Sequence, residues 1–137
     1  MKTKGYALLE LIIALAITAL ITGSLFLAVT NLTNKTSLNL FSQQLLHELS
    51  LARNIAMARD QDVTCQIYGN RIQIQAENKI IKEIAIPNGI QVSSSTPLLG
   101  FKGSTGFTKF AGTLTLSKKN YQETLTLGVG FGKVQLK

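Results

Sequence analysis

A long uncharged run near the N-terminus constrains this chain more than any other feature. From Leu11 to Leu32 there are 22 consecutive residues without a charge. A helix of that length spans about 33 Å, which matches the hydrocarbon thickness of a bilayer. We therefore expect a single-pass membrane helix. Lys2 and Lys4 precede it, which predicts an N-terminus in the cytoplasm and an exported C-terminal part.

Glu10 distinguishes among the ordinary explanations of such an N-terminus. A cleaved secretory signal has an apolar core of about 7–15 residues and then a small-residue cleavage site, whereas this run is longer and ends without one. A plain membrane anchor explains the length but leaves Glu10 unexplained. A carboxylate in a membrane helix costs about 2.5–3.5 kcal/mol at the bilayer centre, less towards the interface, and usually has a partner. The run itself supplies no basic residue as that partner.

The segment Lys4-Gly5-Tyr6-Ala7-Leu8-Leu9-Glu10-Leu11 resembles the class III signal of type IV prepilins and pseudopilins. The resemblance implies that a prepilin peptidase cuts after Gly5 and that the new N-terminal residue, Tyr6, is methylated. The ammonium created at Tyr6 can pair with Glu10 of a neighbouring subunit, which offsets two desolvation costs and sets the stagger of a filament. Tyr6 stands where Phe is more usual. The proline that often kinks the helix of major pilins is absent, so Gly23 is the weak point of the run.

Apolar residues continue at helical spacing after the membrane run. No Pro or Gly between Asn31 and Ser37 forces the helix to stop. From Leu38 to Ala56 apolar side chains recur at steps of three and four, while polar residues, including Glu48, mostly take the other side. The sequence predicts one helix from about residue 7 to about residue 59. We expect residues 1–5 to be a leader peptide that precedes this helix. Residues 6–34 are expected to form its transmembrane and assembly half, and residues 35–59 its amphipathic half.

From residue 62 the period of the apolar residues changes to two, which is typical of strands. The turn signals Gly69-Asn70 and Asn78-Lys79 predict a first sheet of three or four strands, with Pro87-Asn88-Gly89 before its last strand. A second group of strands follows the Gly100–Gly112 region, whose three phenylalanines are expected to plug the core. The prediction is an α+β fold, with the long N-terminal helix packed on an antiparallel β domain of residues 62–137 in two small sheets. The predicted strands are 63–68, 72–76, 80–86 and 90–92, then 113–117, 121–127 and 133–136, and the plugs are Phe101, Phe107 and Phe110.

One cysteine and one histidine limit the chemistry of this domain. Cys65 falls at an inward-facing strand position, which favours a buried free thiol over an intermolecular disulfide. His47 has only Glu48 nearby and no set of metal ligands, so we expect it on the helix surface. The glycines at 128–132 lack the helix and lysine of a nucleotide-binding loop and predict a turn or bulge. We therefore expect no catalytic site, no metal or other cofactor, and no enzyme activity.

The exported part is mildly basic. The precursor carries a formal charge of +7, and removal of residues 1–5 takes away two lysines, which leaves +5 on side chains. Its basic residues are dispersed, which favours a solvated surface over a nucleic-acid-binding face. Weak DNA contact stays open as an added activity, and its candidate residues are Arg71, Lys102, Lys109, Lys118 and Lys119.

A second resemblance, with looser motifs, covers the C-terminal half. The segments 86–90, 101–106, 112–113 and 130–134 look like those of GspH/FimT-type minor pseudopilins, most like the ones of the competence pilus in Gram-positive bacteria. This implies a minor pseudopilin in a cell-surface filament that brings DNA to the uptake machinery during natural transformation, with other pilins or pseudopilins as partners. A minor pseudopilin of a type II secretion system and a minor type IV pilin are the alternatives.

Overall fold

One long helix, α1 (Thr3–Arg59), begins the fold. The computed structural model describes residues 3–136, and of residues 3–5 the backbone alone; Met1 and Lys2 of the predicted leader lie outside the described residues. The chain divides into two compact units, Met1–Asn34 and Lys35–Lys137. Among the described residues, one helix is long and apolar enough to cross a membrane, judged by length and composition, and that helix is α1. The predicted long helix is confirmed.

Hydroxyl side chains in the uncharged run bond to the helix itself. Thr18 donates to the carbonyl of Ala14 at 3.0 Å, and Thr22 donates to that of Thr18 at 2.8 Å. Ser24 repeats the pattern with Leu20 at 3.0 Å. Because each hydroxyl finds an acceptor one turn back, the run stays compatible with an apolar surrounding despite its polar residues.

The C-terminal end of α1 is closed by a local motif. Asp60 adopts a left-handed backbone conformation with φ of 51°. The N–H of Gln61 donates to the carbonyl of Ala56 at 3.3 Å. This six-to-one bond around a left-handed residue is a Schellman motif, which satisfies a carbonyl that the helix end leaves free. It turns the chain into the first strand.

The strands of the second unit form two antiparallel sheets. Among residues 35–136, the first sheet has the order β3-β2-β1-β5-β6 and the second has the order β4-β7-β8-β9. The predicted two-sheet architecture is confirmed. The strands are β1 (Val63–Tyr68), β2 (Arg71–Ala76), β3 (Lys79–Ala85), β4 (Gln91–Ser94), β5 (Leu99–Phe101), β6 (Thr108–Phe110), β7 (Gly112–Lys118), β8 (Tyr121–Leu127) and β9 (Val134–Leu136).

The apolar stripe of the second half of α1 packs against both sheets in one core. The predicted helix positions are buried except Ile55, which is partly buried. Each buried Leu contributes about 1.5–3 kcal/mol relative to an exposed one. Leucines of β7 and β8 and isoleucines of β2 supply the facing side of the core. The buried helix residues are Leu38, Phe41, Leu45, Leu49, Ala52 and Ala56.

Glu48 corrects the predicted polar face of the helix. The sequence placed it among outward-facing residues, yet it is 7% exposed. Its Oε1 accepts a hydrogen bond from Lys82 Nζ of β3 at 2.6 Å. A carboxylate can be buried when a cation is brought to it, and here the cation comes from a strand that follows 34 residues later. Nothing in the helix sequence indicates that partner.

The strand predicted over residues 90–92 belongs to the second sheet, which corrects its placement in the first. The N–H of Ile90 bonds to the carbonyl of Pro87 at 3.1 Å, and this turn redirects the chain. Beyond it, Gln91 pairs with Ser117 of β7. The partner strand lies more than twenty residues downstream, so local periodicity could not reveal the pairing.

Two of the three predicted aromatic plugs are wrong. Phe101 is 1% exposed and pairs with Val63, so it fills the core as expected. Phe107 and Phe110 are 45% and 39% exposed. Phe107 lies in the connection between β5 and β6, and Phe110 lies on the edge strand β6. Both strands have three residues, too few for an alternating pattern to reveal which side chains point inward.

Candidate assembly surface and its geometry

Tyr6 and Glu10 lie one turn apart on α1. Residues four apart share a helix face, so the side chains of both point to the same side. Tyr6 is 74% exposed and Glu10 is also exposed. Among the described side chains, residues 6–136, Glu10 has no ion-pair partner. The face thus presents an exposed carboxylate, unpaired among the described side chains, beside a large aromatic ring.

The same face continues as an apolar stripe. Four apolar residues at helical spacing line one shallow groove together with Tyr6 and Glu10: Leu9, Ile13, Ala14 and Ile17. All of these side chains are exposed in the chain by itself. A stripe of this kind is suited to a lipid or to another apolar helix, and Glu10 adds the need for a cation at its start. Gly5, the predicted cleavage residue, lies within α1 directly before this face.

The five basic residues considered for DNA contact lie apart. Arg71 pairs with Tyr68 at one end of β1. Lys102 follows Phe101, which pairs with Val63 at the other end of β1. Lys109 lies at that same end, since it pairs with Asp62 directly before β1. Lys118 ends β7 of the second sheet, and Lys119 lies in the turn between β7 and β8.

Three of these five cations are already engaged within the chain. Arg71 forms an ion pair with Glu83 at 3.1 Å. Lys109 pairs with Asp62 and lies 5.5 Å from the centre of the Phe110 ring. Lys118 donates to Ser37 Oγ at 2.6 Å, while Lys102 and Lys119 are exposed. The structure therefore does not gather the five into one basic surface.

Asp62 fastens the loop before β6 to the start of β1. Its Oδ1 accepts a hydrogen bond from the backbone N–H of Gly103 at 2.9 Å, and its Oδ2 contacts Lys109 Nζ. The hydrogen bond from Lys109 and then the one from Gly103 lower the pKa of Asp62 below its usual value. Sequence reasoning gave Asp62 no role, because both partners lie about forty residues downstream.

Glu123 links the second sheet to the helix and was likewise not predicted. Its Oε1 accepts a hydrogen bond from Asn39 Nδ2 at 3.2 Å, and its Oε2 accepts one from the buried hydroxyl of Ser42. A carboxylate with hydrogen-bonded oxygens can be held next to a core without a large desolvation loss. This contact orients β8 on α1.

Cys65 and His47 lie where the sequence predicted. Cys65 is a free thiol, 4% exposed, and burial raises its pKa to about 12. At neutral pH the buried side chain is therefore the unreactive thiol. His47 is exposed on α1. The glycines at 128–132 form the loop between β8 and β9, as expected of a turn.

Solved structures with the same architecture exist. The type IV minor pilin FimU of Pseudomonas aeruginosa matches with a TM-score of 0.64, at 15% identity, over 77% of this chain and 91% of the FimU chain. The fold is pilin-like. The minor pseudopilin EpsH from the Type 2 Secretion System of Vibrio cholerae matches this pilin-like fold with a TM-score of 0.59, at 19% identity, over 72% of this chain and 94% of EpsH. No protein-family model and no curated protein sequence matches the chain.

The pilin-like fold agrees with the α+β prediction in its main parts. A long N-terminal helix packs its second half on two antiparallel sheets, as in FimU and EpsH. At identities of 15% and 19% the likeness establishes the fold. The role of this chain has to be argued from its own residues, above all from the helix face that carries Tyr6 and Glu10.

Proposed function

We propose that the chain is a minor pseudopilin, a structural subunit of a type IV pilus-like filament. The observation that carries this proposal is the exposed apolar face of α1, which holds Glu10 one turn after Tyr6. An unpaired carboxylate at the start of a membrane-length apolar helix calls for a cation from another chain. The pilin-like fold of the second unit supports the same role.

In the proposed mechanism, the uncharged run holds the subunit in the membrane with its N-terminus in the cytoplasm and residues 35–137 exported. Prepilin peptidase cuts after Gly5 and leaves an ammonium at Tyr6, whose charge is kept on methylation. In the filament this ammonium pairs with Glu10 of a neighbour, and the apolar stripes pack on each other in place of lipid. The membrane span and the assembly interface are then the same surface.

Among filament systems, we favour a competence filament that takes up DNA, in which the subunit would resemble the minor pseudopilin ComGD. The support is the set of glycine, proline and phenylalanine positions in the C-terminal half. A secretion pseudopilin or a minor pilin is the alternative, and the two solved relatives, one from a pilus and one from a secretion system, support both settings equally. The five basic residues are left out of the proposal, because three of them are engaged within the chain.

Substitution of Gly5 by Ala tests the class III signal. We expect the Gly5→Ala chain to stay uncut, as a heavier membrane-bound band on an immunoblot, because the peptidase recognises glycine at this position in the signal that the segment resembles. Gly23→Ala is the matched control. Gly23 has open space around it and lies in the helix interior, so this variant should be cut normally. Normal cutting of Gly5→Ala would remove the assignment.

Deletion of the gene tests the choice of system. We expect transformation frequency and uptake of labelled DNA to fall to the detection limit, while protein secretion stays at its normal level. Expression of the unmodified chain should restore uptake, and expression of the Gly5→Ala chain should not. A strain that transforms normally but fails to secrete its exported proteins would move the subunit to the secretion alternative.

A further inference from the structure

Two loops of the β domain hold large apolar side chains in solvent. Val129 is 91% exposed and Phe131 is 77% exposed, the highest values for large apolar side chains among residues 35–136. Phe107 packs edge-to-face on Phe131, with ring centroids 5.5 Å apart, and stays 45% exposed. We call Phe107, Val129 and Phe131 the aromatic patch. Single exposed apolar residues are ordinary, but a group of this kind marks an interaction site.

Hydrogen bonds from Thr108 hold the two loops of the patch together. The N–H of Thr108 donates to the carbonyl of Gly130 at 2.9 Å, and its hydroxyl donates to the carbonyl of Gly128 at 2.6 Å. The N–H of Lys102 closes the other loop on the carbonyl of Phe107 at 2.7 Å. The patch is therefore preorganised, and a partner that binds it loses little free energy to loop ordering.

A close glycine contact permits this arrangement. Gly132 has φ of +64°, and a Cβ atom there would lie 2.2 Å from the carbonyl oxygen of Gly106. That same carbonyl accepts a hydrogen bond from Arg53 Nε of α1 at 3.2 Å. Only glycine at 132 lets the two loops approach so closely. The loops that carry the patch are thus fastened to each other and to α1.

The border of the patch is basic. A surface cavity of about 240 Å³ next to Val129 and Phe131 is also lined by Lys133. Lys133 is exposed, and so is Lys102, whose N–H bonds to the carbonyl of Phe107; the carboxylate of Asp62 is already paired with Lys109. A second copy whose own patch faced this one would bring lysines against lysines, which is unfavourable. The charge of the border therefore favours a different chain with acidic residues.

We propose that the aromatic patch docks another protein subunit, one that offers an apolar recess bordered by Asp or Glu. Buried aromatic anchors dominate the binding free energy of protein interfaces, and complementary charges at the border orient the partners. The proposal rests on the proposed function in that the partner is sought among subunits of the same filament. A rigid patch of Phe and Val without Trp or Tyr favours a protein partner over an anionic lipid surface, where Trp and Tyr are enriched.

Photo-crosslinking in the producing cells tests this docking. A photoreactive amino acid is placed at Phe131 of the full chain, and at Tyr68 as the control, which is 66% exposed at the far end of β1. We expect Phe131 to give one discrete adduct with a different protein that has its own prepilin-type leader. Mass spectrometry of the adduct should locate Asp or Glu beside the attached residue. The Tyr68 chain should not give this adduct.

Charge reversal makes the test sharper. With the photoreactive residue at position 131, Lys102→Glu together with Lys133→Glu should lower the adduct yield several-fold. Lys79→Glu, an exposed change at the start of the edge strand β3, should leave it unchanged. Normal cleavage after Gly5 shows that each variant is made and inserted. An absent adduct, an adduct with a second copy or with lipid only, an equal adduct from Tyr68, or a yield insensitive to the border charges would each overturn the proposal. The proposed function would stand, because its tests by Gly5→Ala and Glu10→Ala act through the start of α1 and do not involve the patch.

Discussion

Glu10→Ala is expected to abolish incorporation of the subunit into the filament while cleavage after Gly5 and membrane insertion stay intact. The ammonium of a neighbour's Tyr6 would be buried without its partner, and breaking a buried pair in this way costs about 3–5 kcal/mol. That corresponds to a loss of about two to three and a half powers of ten in incorporation. The measurement is the ratio of the subunit in sheared filaments to the subunit in membranes.

A charge-preserving control separates the ion pair from other effects of the change. Glu10→Asp keeps the carboxylate on a shorter side chain, so we expect it to assemble better than Glu10→Ala. Both chains should be cut after Gly5 at the normal rate, since the apolar run is unchanged. If Glu10→Ala assembled as well as the unmodified chain, the pair with Tyr6 would not set the stagger of this subunit.

Phe101→Ala is expected to lower the free energy of unfolding of the exported domain by about 3–5 kcal/mol. Phe101 is 1% exposed between the helix and the first sheet, so its removal leaves a cavity in the core. Cys65 reports unfolding, because its buried thiol becomes accessible to alkylation only when the domain opens. In detergent-solubilised full-length chain, the urea midpoint of Cys65 alkylation should fall by roughly 2 M.

The matched control for this change is Phe131→Ala. The same side chain is removed, but Phe131 is 77% exposed and leaves no cavity. Loss of its edge-to-face contact with Phe107 costs about 0.5–1.5 kcal/mol, so the urea midpoint should fall much less than that of the Phe101→Ala chain. Equal midpoints for the Phe101→Ala and Phe131→Ala chains would contradict the placement of Phe101 in the core.

Much of the fold could be predicted because its signals are local. The helix follows from an uncharged run and a stripe at steps of three and four, both continuous along the chain. The hairpin of β1 and β2 follows from alternation around Gly69-Asn70, and that of β7 and β8 from alternation around Lys118 to Asn120. In each case the spacing of apolar residues within the element itself is enough to predict it.

The errors fall where the deciding partner is distant in the chain. Gln91 belongs to the second sheet because it pairs with Ser117 of β7. Glu48 is buried because Lys82 Nζ donates a hydrogen bond to its carboxylate. The same holds for the two phenylalanines that were expected in the core. Their exposure depends on where the three-residue strands β5 and β6 lie in the sheet, and strands of that length carry no period of their own.

The candidate assembly surface was visible in the sequence, since Gly5, Tyr6 and Glu10 lie within a single stretch of α1 and need no tertiary contact to share a face. The aromatic patch was not visible. Phe107 and Phe131 are 24 residues apart, and the bonds of Thr108 to the loop after β8, with the close approach of Gly132 to Gly106, bring them together. Sequence alone determined the helix, the membrane-length run and the carboxylate in need of a partner, because these depend on neighbours along the chain. Tertiary structure alone decided which strands pair, which carboxylates are buried and which aromatics stay in solvent, because these depend on contacts between distant segments.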